Sequence, residues 1–136
     1  MTGYSGTPLV RKLGIKPGMR VCVYGAPREY RQIVADLPAD LSFAAVGDKD
    51  LDFVHVFTSE RGELRRQLGV FRPAIRPAGA VWVSWPKKAS RMETDLTEDV
   101  VRQEVLSAGL VDVKVCAVDD TWSALKLVIR VTDRHG

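Results

Sequence analysis

A chain of 136 residues, 46% hydrophobic and 27% charged, is long enough to bury a core without metal or disulfide staples and fits a single domain over residues 1–136. Its 20 basic and 17 acidic residues are interspersed, so the net charge of +3 is a small excess rather than a basic arm, and nucleic-acid binding is not indicated. No apolar run approaches the ~20 residues of a membrane-spanning helix, and no signal-peptide core opens the chain; the expectation is a cytoplasmic protein with no membrane partner.

Residues 3–16 (GYSGTPLVRKLGIK) set Leu9, Leu13 and Ile15 among turn formers, which predicts a short helix leading onto a sheet. Lys16-Pro17-Gly18 is a turn signal, and residues 19–24 read as a buried first strand that breaks at Gly25. Pro27 suits the first turn of a helix carrying Tyr30, Ile33, Val34 and Leu37 at helical spacing, stopped by Pro38. Residues 42–46 predict a short second strand ending in Gly47-Asp48, and residues 52–57 a third, continuous in apolar residues after Asp52 apart from His55. Ser59 is placed to cap the next helix, with Leu64, Leu68 and Phe71 inward and Arg61, Arg65 and Arg72 toward solvent. After Pro77-Ala78-Gly79, residues 80–85 predict a strand that runs into Pro86, Lys87 and Lys88. A helix over 95–108 follows, with Asp95-x-x-Glu98 as its capping box and Gly109 as its C′ residue. Residues 111–118 and 123–131 alternate with period two around Asp119-Asp120-Thr121, which predicts a terminal antiparallel hairpin.

Strands alternating with helices imply a three-layer, Rossmann-like α/β fold: a mostly parallel six-stranded sheet, with one reversed strand from the C-terminal hairpin. Cys22 and Cys116 lie in apolar segments outside any C-x-x-C pair and read as core thiols. The only histidines are His55 and His135, too few for a zinc site, so no metal is expected. Ser84 and Ser90 have no histidine nearby in the chain, and a hydrolase triad would need His55 to arrive from a strand interior. No catalytic residue is assigned.

Three features together resemble the class I S-adenosylmethionine-dependent methyltransferases over nearly the whole chain. They are Lys16-Pro17-Gly18-Met19-Arg20-Val21 before the first strand, Ile75-Arg76-Pro77-Ala78-Gly79-Ala80-Val81 before a later one, and residues 104–110 before the hairpin. The resemblance implies a sheet order 2-1-4-5-7-6 in that family's strand names, with the outer strand 3 absent. It also implies a Gly-x-Gly-x-Gly loop after the first strand, whose glycines let the backbone approach the cofactor. The matching positions here are Gly25, Pro27 and Glu29, and Val23 replaces the acidic residue at the strand end, so S-adenosylmethionine is disfavoured and no cofactor is expected. Asp48 matches the family's ribose-binding acidic position by place. Four further segments, Tyr4-Ser5-Gly6-Thr7-Pro8-Leu9, Ser84-Trp85-Pro86-Lys87-Lys88, Thr94-Asp95-Leu96-Thr97-Glu98-Asp99-Val100 and Lys114-Val115-Cys116-Ala117-Val118-Asp119, are similar to a group of actinobacterial proteins known as domain of unknown function 3052. That likeness implies no particular activity.

Parallel strands would put Gly25, Thr58, Trp85, Lys87, Lys88, Asp119 and Trp122 on one carboxyl rim, where open α/β sheets hold their ligands. Lys87 and Lys88 suit an anionic small molecule, aided by the amino end of the following helix. Trp85 and Trp122 either face a ring or close the core. Asp95, Glu98 and Asp99 are read as helix-capping residues rather than as a carboxylate site. The function expected is a non-catalytic ligand-binding or protein-partner-binding module on a degenerate methyltransferase-like fold. The alternative is a divergent transferase using S-adenosylmethionine or a nucleotide in the same crevice. A crevice plugged by Tyr4, Trp85 or Trp122 would favour a scaffold.

Overall fold

The computed structural model describes residues 8–134; Tyr4, Ser5, Gly6, Thr7 and His135, which entered the sequence reading, lie outside them. The chain runs α1 (Leu9–Leu13), β1 (Arg20–Tyr24), α2 (Tyr30–Ile33), β2 (Ser42–Phe43), β3 (Leu51–Phe57), α3 (Arg61–Phe71), β4 (Ile75–Pro86), a 3-10 turn (Lys88–Ser90), α4 (Glu98–Ser107), β5 (Val111–Ala117), β6 (Trp122–Val128) and a final 3-10 turn (Val131–Asp133). The six strands form one sheet in the order β2-β1-β3-β4-β6-β5. β2, β1, β3 and β4 are parallel, while β6 runs antiparallel to both of its neighbours. This is the expected order, with one reversed strand and, among the described residues, no strand outside β2.

The central strands are buried on both sides because helices cover both faces, which is why they read as nearly continuous apolar runs. One core holds Val54, Val56, Val81, Val83, Trp85, Leu125 and Leu127 against Leu64, Leu68 and Phe71 of α3 and Val101 and Val105 of α4. The opposite core holds Phe53, Phe57, Trp82 and Ala124 against Leu13, Ile15 and Tyr30. Trp82 anchors α1 by donating its indole N–H to the Leu13 carbonyl at 3.0 Å.

Several boundaries depart from the sequence expectation, each for a physical reason. The helix after Pro27 is a single turn, Tyr30–Ile33; Val34 and Leu37 still pack on the core from the irregular segment that follows, which takes left-handed backbone at Asp36 and Asp40. The second strand is only Ser42–Phe43, because Asp48 closes a turn on Ala45, its carboxylate accepting the Ala45 amide at 2.9 Å. β4 starts at Ile75, five residues before expected, with a register irregularity opposite Leu51 and Phe53. The last strand ends at Val128 rather than at residue 131. The helix expected over 95–108 is Glu98–Ser107, capped by Thr97, whose hydroxyl accepts the Val100 amide; Gly109 follows at φ 80° as the left-handed C′ residue. Asp95 does not form the capping box. Its Oδ1 instead accepts the Arg61 amide at 2.7 Å, capping α3 from outside, while Ser59, expected in that role, makes no cap: Glu60 holds the N-cap position with no side-chain bond.

Candidate functional site

The carboxyl ends of β1, β3 and β4 and the β5–β6 turn meet on one rim, stitched by backbone. Gly25 sits at φ 70°, and a Cβ there would stand 2.5 Å from the Phe57 carbonyl oxygen, so only glycine lets β1 turn away over the end of β3. The Thr58 amide donates to the Ser84 carbonyl at 3.1 Å, and the Lys87 amide to the Thr121 carbonyl at 2.7 Å. Phe57 meets Trp122 edge to face at a centroid distance of 5.1 Å. The structure thus gathers Gly25, Thr58, Trp85, Lys87, Lys88, Asp119 and Trp122. Asp48 stands apart: its carboxylate lies 3.6 Å from Arg20, the first residue of β1, at the amino edge of the sheet.

Most of these side chains already have local duties. Thr58 accepts the Glu60 amide at 3.1 Å in the turn before α3. Asp119 Oδ1 accepts both the Thr121 and Trp122 amides at 2.8 Å and so shapes the hairpin turn. Trp85 belongs to the core under α4, whereas Trp122 packs on the other core, and a one-residue offset across β4 and β6 (Pro86 opposite Trp122, Trp85 opposite Ser123) puts the two indoles on opposite faces of the sheet. They cannot sandwich one ring.

What stays open is a groove of about 470 Å³ bounded by Trp85, Lys87, Lys88, Met92, Thr97 and Glu98. Lys87 is half-buried and Lys88 exposed. Glu98 is turned onto Arg102, whose guanidinium donates to it at 2.7 Å, and this partly neutralises the one carboxylate on the wall. Thr94 fixes the groove's far side by donating to the Ser59 carbonyl at 2.6 Å. A second hollow of about 330 Å³ opens beside the turn after β1, bounded by Val23, Ala26, Tyr30, Arg31, Leu37 and Phe43. Arg31 forms part of its wall, lying 5.0 Å above the Phe43 ring.

Two constellations escaped the sequence reading. Ser84 does have a histidine partner: His55 Nε2 lies 2.8 Å from Ser84 Oγ, and His55 Nδ1 lies 3.0 Å from the Tyr30 hydroxyl. One ring nitrogen donates and the other accepts, with a hydroxyl at each end to match. His55 and Ser84 are both fully buried, and burial lowers the imidazole to about 3 while raising the Tyr30 phenol above its ordinary value. The serine faces core, not a groove, so this neutral chain is a satisfied polar element of the core rather than a nucleophile site. The signal was present as one polar residue inside the apolar run of each of two adjacent strands, His55 within residues 53–57 and Ser84 within residues 80–85, but only the register reveals the contact.

The second is Glu104, 4% exposed, gripped by Arg61 Nε at 2.6 Å and by Arg65 through Nε at 3.0 Å and Nη2 at 2.8 Å. Hydrogen bonds from Arg65, opposed in part by burial and reinforced by Arg61, hold its carboxyl at about 2. Arg61 and Arg65 keep the side-chain exposure expected of a solvated face, at 37% and 67%, and in addition pin α3 to α4 through Glu104. Among the described residues no group of three or more His, Cys, Asp or Glu could hold a metal, and no helix is long and apolar enough to cross a membrane.

No family model and no curated protein matches the chain. Solved structures do. A SAM dependent methyltransferase from Aquifex aeolicus superposes with a TM-score of 0.62 at 14% identity, covering 89% of this chain and 88% of its own. The magnesium protoporphyrin IX methyltransferase of Synechocystis PCC 6803, with bound SAM, superposes at 0.58 and 13% identity over 89% of this chain and 74% of its own. The 1,6-didemethyltoxoflavin-N1-methyltransferase of Burkholderia thailandensis does so at 0.60 and 14% over 88% and 73%. At such identities the likeness establishes the fold: this sheet is that of the S-adenosylmethionine-dependent methyltransferases.

Proposed function

We propose that this chain is a non-catalytic binding module that keeps the methyltransferase architecture without the cofactor loop, and that its ligand is an anionic small molecule seated over Lys87 and Lys88. The observation that carries the reading is the turn after β1. Its one remaining glycine, Gly25, is spent on clearing the Phe57 carbonyl. Pro27 offers no amide, and Glu29 stands at the start of the single turn α2, its carbonyl accepting the Gln32 and Ile33 amides at 2.9 Å. Asp48, the acidic residue matched by place to the ribose position, is tied to Arg20 and to its own turn. The groove at Lys87 and Lys88 lies instead where an α/β sheet presents ligands, beside the ten-residue helix α4, whose amino end adds partial positive charge. The similarity to domain of unknown function 3052 and a cytoplasmic location are part of the same reading. A second reading, a divergent transferase, is favoured by the hollow beside Tyr30 and Arg31.

Thermal melting separates the two. A ligand at a hundred times its Kd stabilises a fold by about 2.7 kcal/mol, and millimolar S-adenosylmethionine is expected to give no such saturable shift; if it does, the transferase reading takes over. Replacing both lysines, Lys87→Ala with Lys88→Ala, should change stability by no more than about 0.5 kcal/mol yet remove the stabilisation produced by phosphate- or carboxylate-bearing metabolites at fixed ionic strength. Equal stabilisation of wild type and double variant would place the ligand elsewhere.

A further inference from the structure

We infer that the seam between α3 and α4 is a separate oxyanion site, built to take a small molecule carrying phosphate or multiple carboxylate groups. The seam forms a groove of about 600 Å³, within the size range of small-molecule pockets, and its lining sets Arg61, Arg65 and Arg72 against a single carboxylate, Glu104. One guanidinium would neutralise that carboxylate; two are bound to it, and a third is fixed beside them by the bond from Arg72 Nε to the Gly109 carbonyl at 3.2 Å.

Each arginine is therefore oriented by part of its fork while the rest of its five donors stay available. Arg65 spends Nε and Nη2 on Glu104, Arg61 spends Nε on Glu104 and Nη2 on Gln103, and Arg72 spends Nε alone among the described residues. Holding guanidiniums in place before the ligand arrives removes much of the ordering cost of binding, and planar forks match phosphate and carboxylate oxygens two at a time. Gly69 supports the same conclusion. It sits inside helix α3, where glycine is the least favourable residue after proline, and nothing lies within 4 Å of where its Cβ would be. Packing among the described residues does not account for it; the bare floor it leaves beside Arg65 and Arg72 gives a ligand room to reach the forks. The site is independent of the Lys87–Lys88 groove, which is lined by different residues.

The test is a nuclear magnetic resonance titration of the full chain with inorganic pyrophosphate and, separately, citrate, at ionic strength held constant with chloride. The Gly69 amide and the Nε–H signals of Arg65 and Arg72 should shift saturably at millimolar probe. Gly69→Glu, whose side chain enters open space, should keep the fold and abolish the response. Arg72→Gln, which leaves the Glu104 pairs intact, should weaken binding about tenfold, as expected for one hydrogen bond to a charged group. Lys87→Ala with Lys88→Ala should leave it unchanged. A stronger response to pyrophosphate identifies a phosphate compound as ligand, and a stronger response to citrate a polycarboxylate. The inference is overturned if neither probe gives a saturable shift, if Gly69→Glu binds as wild type does, or if the lysine variant loses the response.

Discussion

His55 shows what a single polar residue can do inside an apolar sheet. It is fully buried, yet both ring nitrogens have partners, so the cost of burying it is offset only while Tyr30 and Ser84 remain. Ser84→Ala should therefore cost about 1–3 kcal/mol by leaving one imidazole nitrogen unpaired, read as a lower urea midpoint. The acid behaviour follows from the sign of the shift. The folded imidazole titrates at about 3 and the unfolded one near its ordinary 6.5, so only the unfolded chain takes up this proton in between. The contribution is complete above pH 6.5 and is lost as pH falls toward 3, at up to about 1.4 kcal/mol per pH unit. His55→Asn removes that proton uptake, so the stability gap between wild type and variant should narrow as pH falls through this window; a gap that stays constant would mean that His55 is not neutral in the fold. Glu104 adds its own loss of stability below its ordinary 4.5, since its carboxyl is held at about 2, but it does so equally in both proteins and cancels.

At the scale of elements, the loop between β4 and α4 caps two helices at once. Asp95 serves α3 through the Arg61 amide, and Thr97, two residues later, serves α4 through the Val100 amide at 3.2 Å. Thr94 adds a tie to the Ser59 carbonyl, so the loop is the clasp that aligns the two helices on one face of the sheet. Either cap should be worth about 1 kcal/mol, and hydrogen exchange tells them apart. Asp95→Ala should speed exchange in the first turn of α3 and leave the Val100 amide as it was, while Thr97→Ala should do the reverse. Faster exchange at the Glu98 amide in Asp95→Ala would restore the capping box that the sequence alone implied.

At the scale of the molecule, the sheet ends in two blunted edges. β2 has only two residues, and β5 carries a register irregularity between Asp112 and Lys114, with the exposed lysine on its edge; short strands, bulges and lysines are the usual defences against edge-to-edge pairing. The two cysteines lie toward opposite ends of the sheet, Cys22 on β1, next to one edge, and Cys116 on the edge strand β5. Both are free thiols, the first buried and the second only half-buried rather than a full core residue. Four strand spacings, roughly 19 Å, separate them, far beyond disulfide reach. A non-reducing peptide map of the folded, air-exposed monomer should show no Cys22–Cys116 cross-link; finding one would contradict the strand order.

The local pattern of residues by itself determined the series of strands and helices, the antiparallel hairpin, and, with the right-handed crossover rule, the parallel direction of the central strands, while their order followed from the resemblance. It determined the rim as well, since Gly25, Thr58, Lys87 and Trp122 follow the carboxyl ends of strands whose direction the crossovers dictate. Only the tertiary structure decided which side chains meet. Ser84 reaches His55 because β3 and β4 lie in one particular register; Asp95 turns to α3, where it accepts the Arg61 amide; and Arg61 and Arg65, though still at least partly exposed, are tied down because α4 brings Glu104 against them from about forty residues away. Periodicity reports which face of an element is apolar, a property of neighbours in the chain. Partners of a buried polar group are set by packing between elements, and no local pattern encodes their distance.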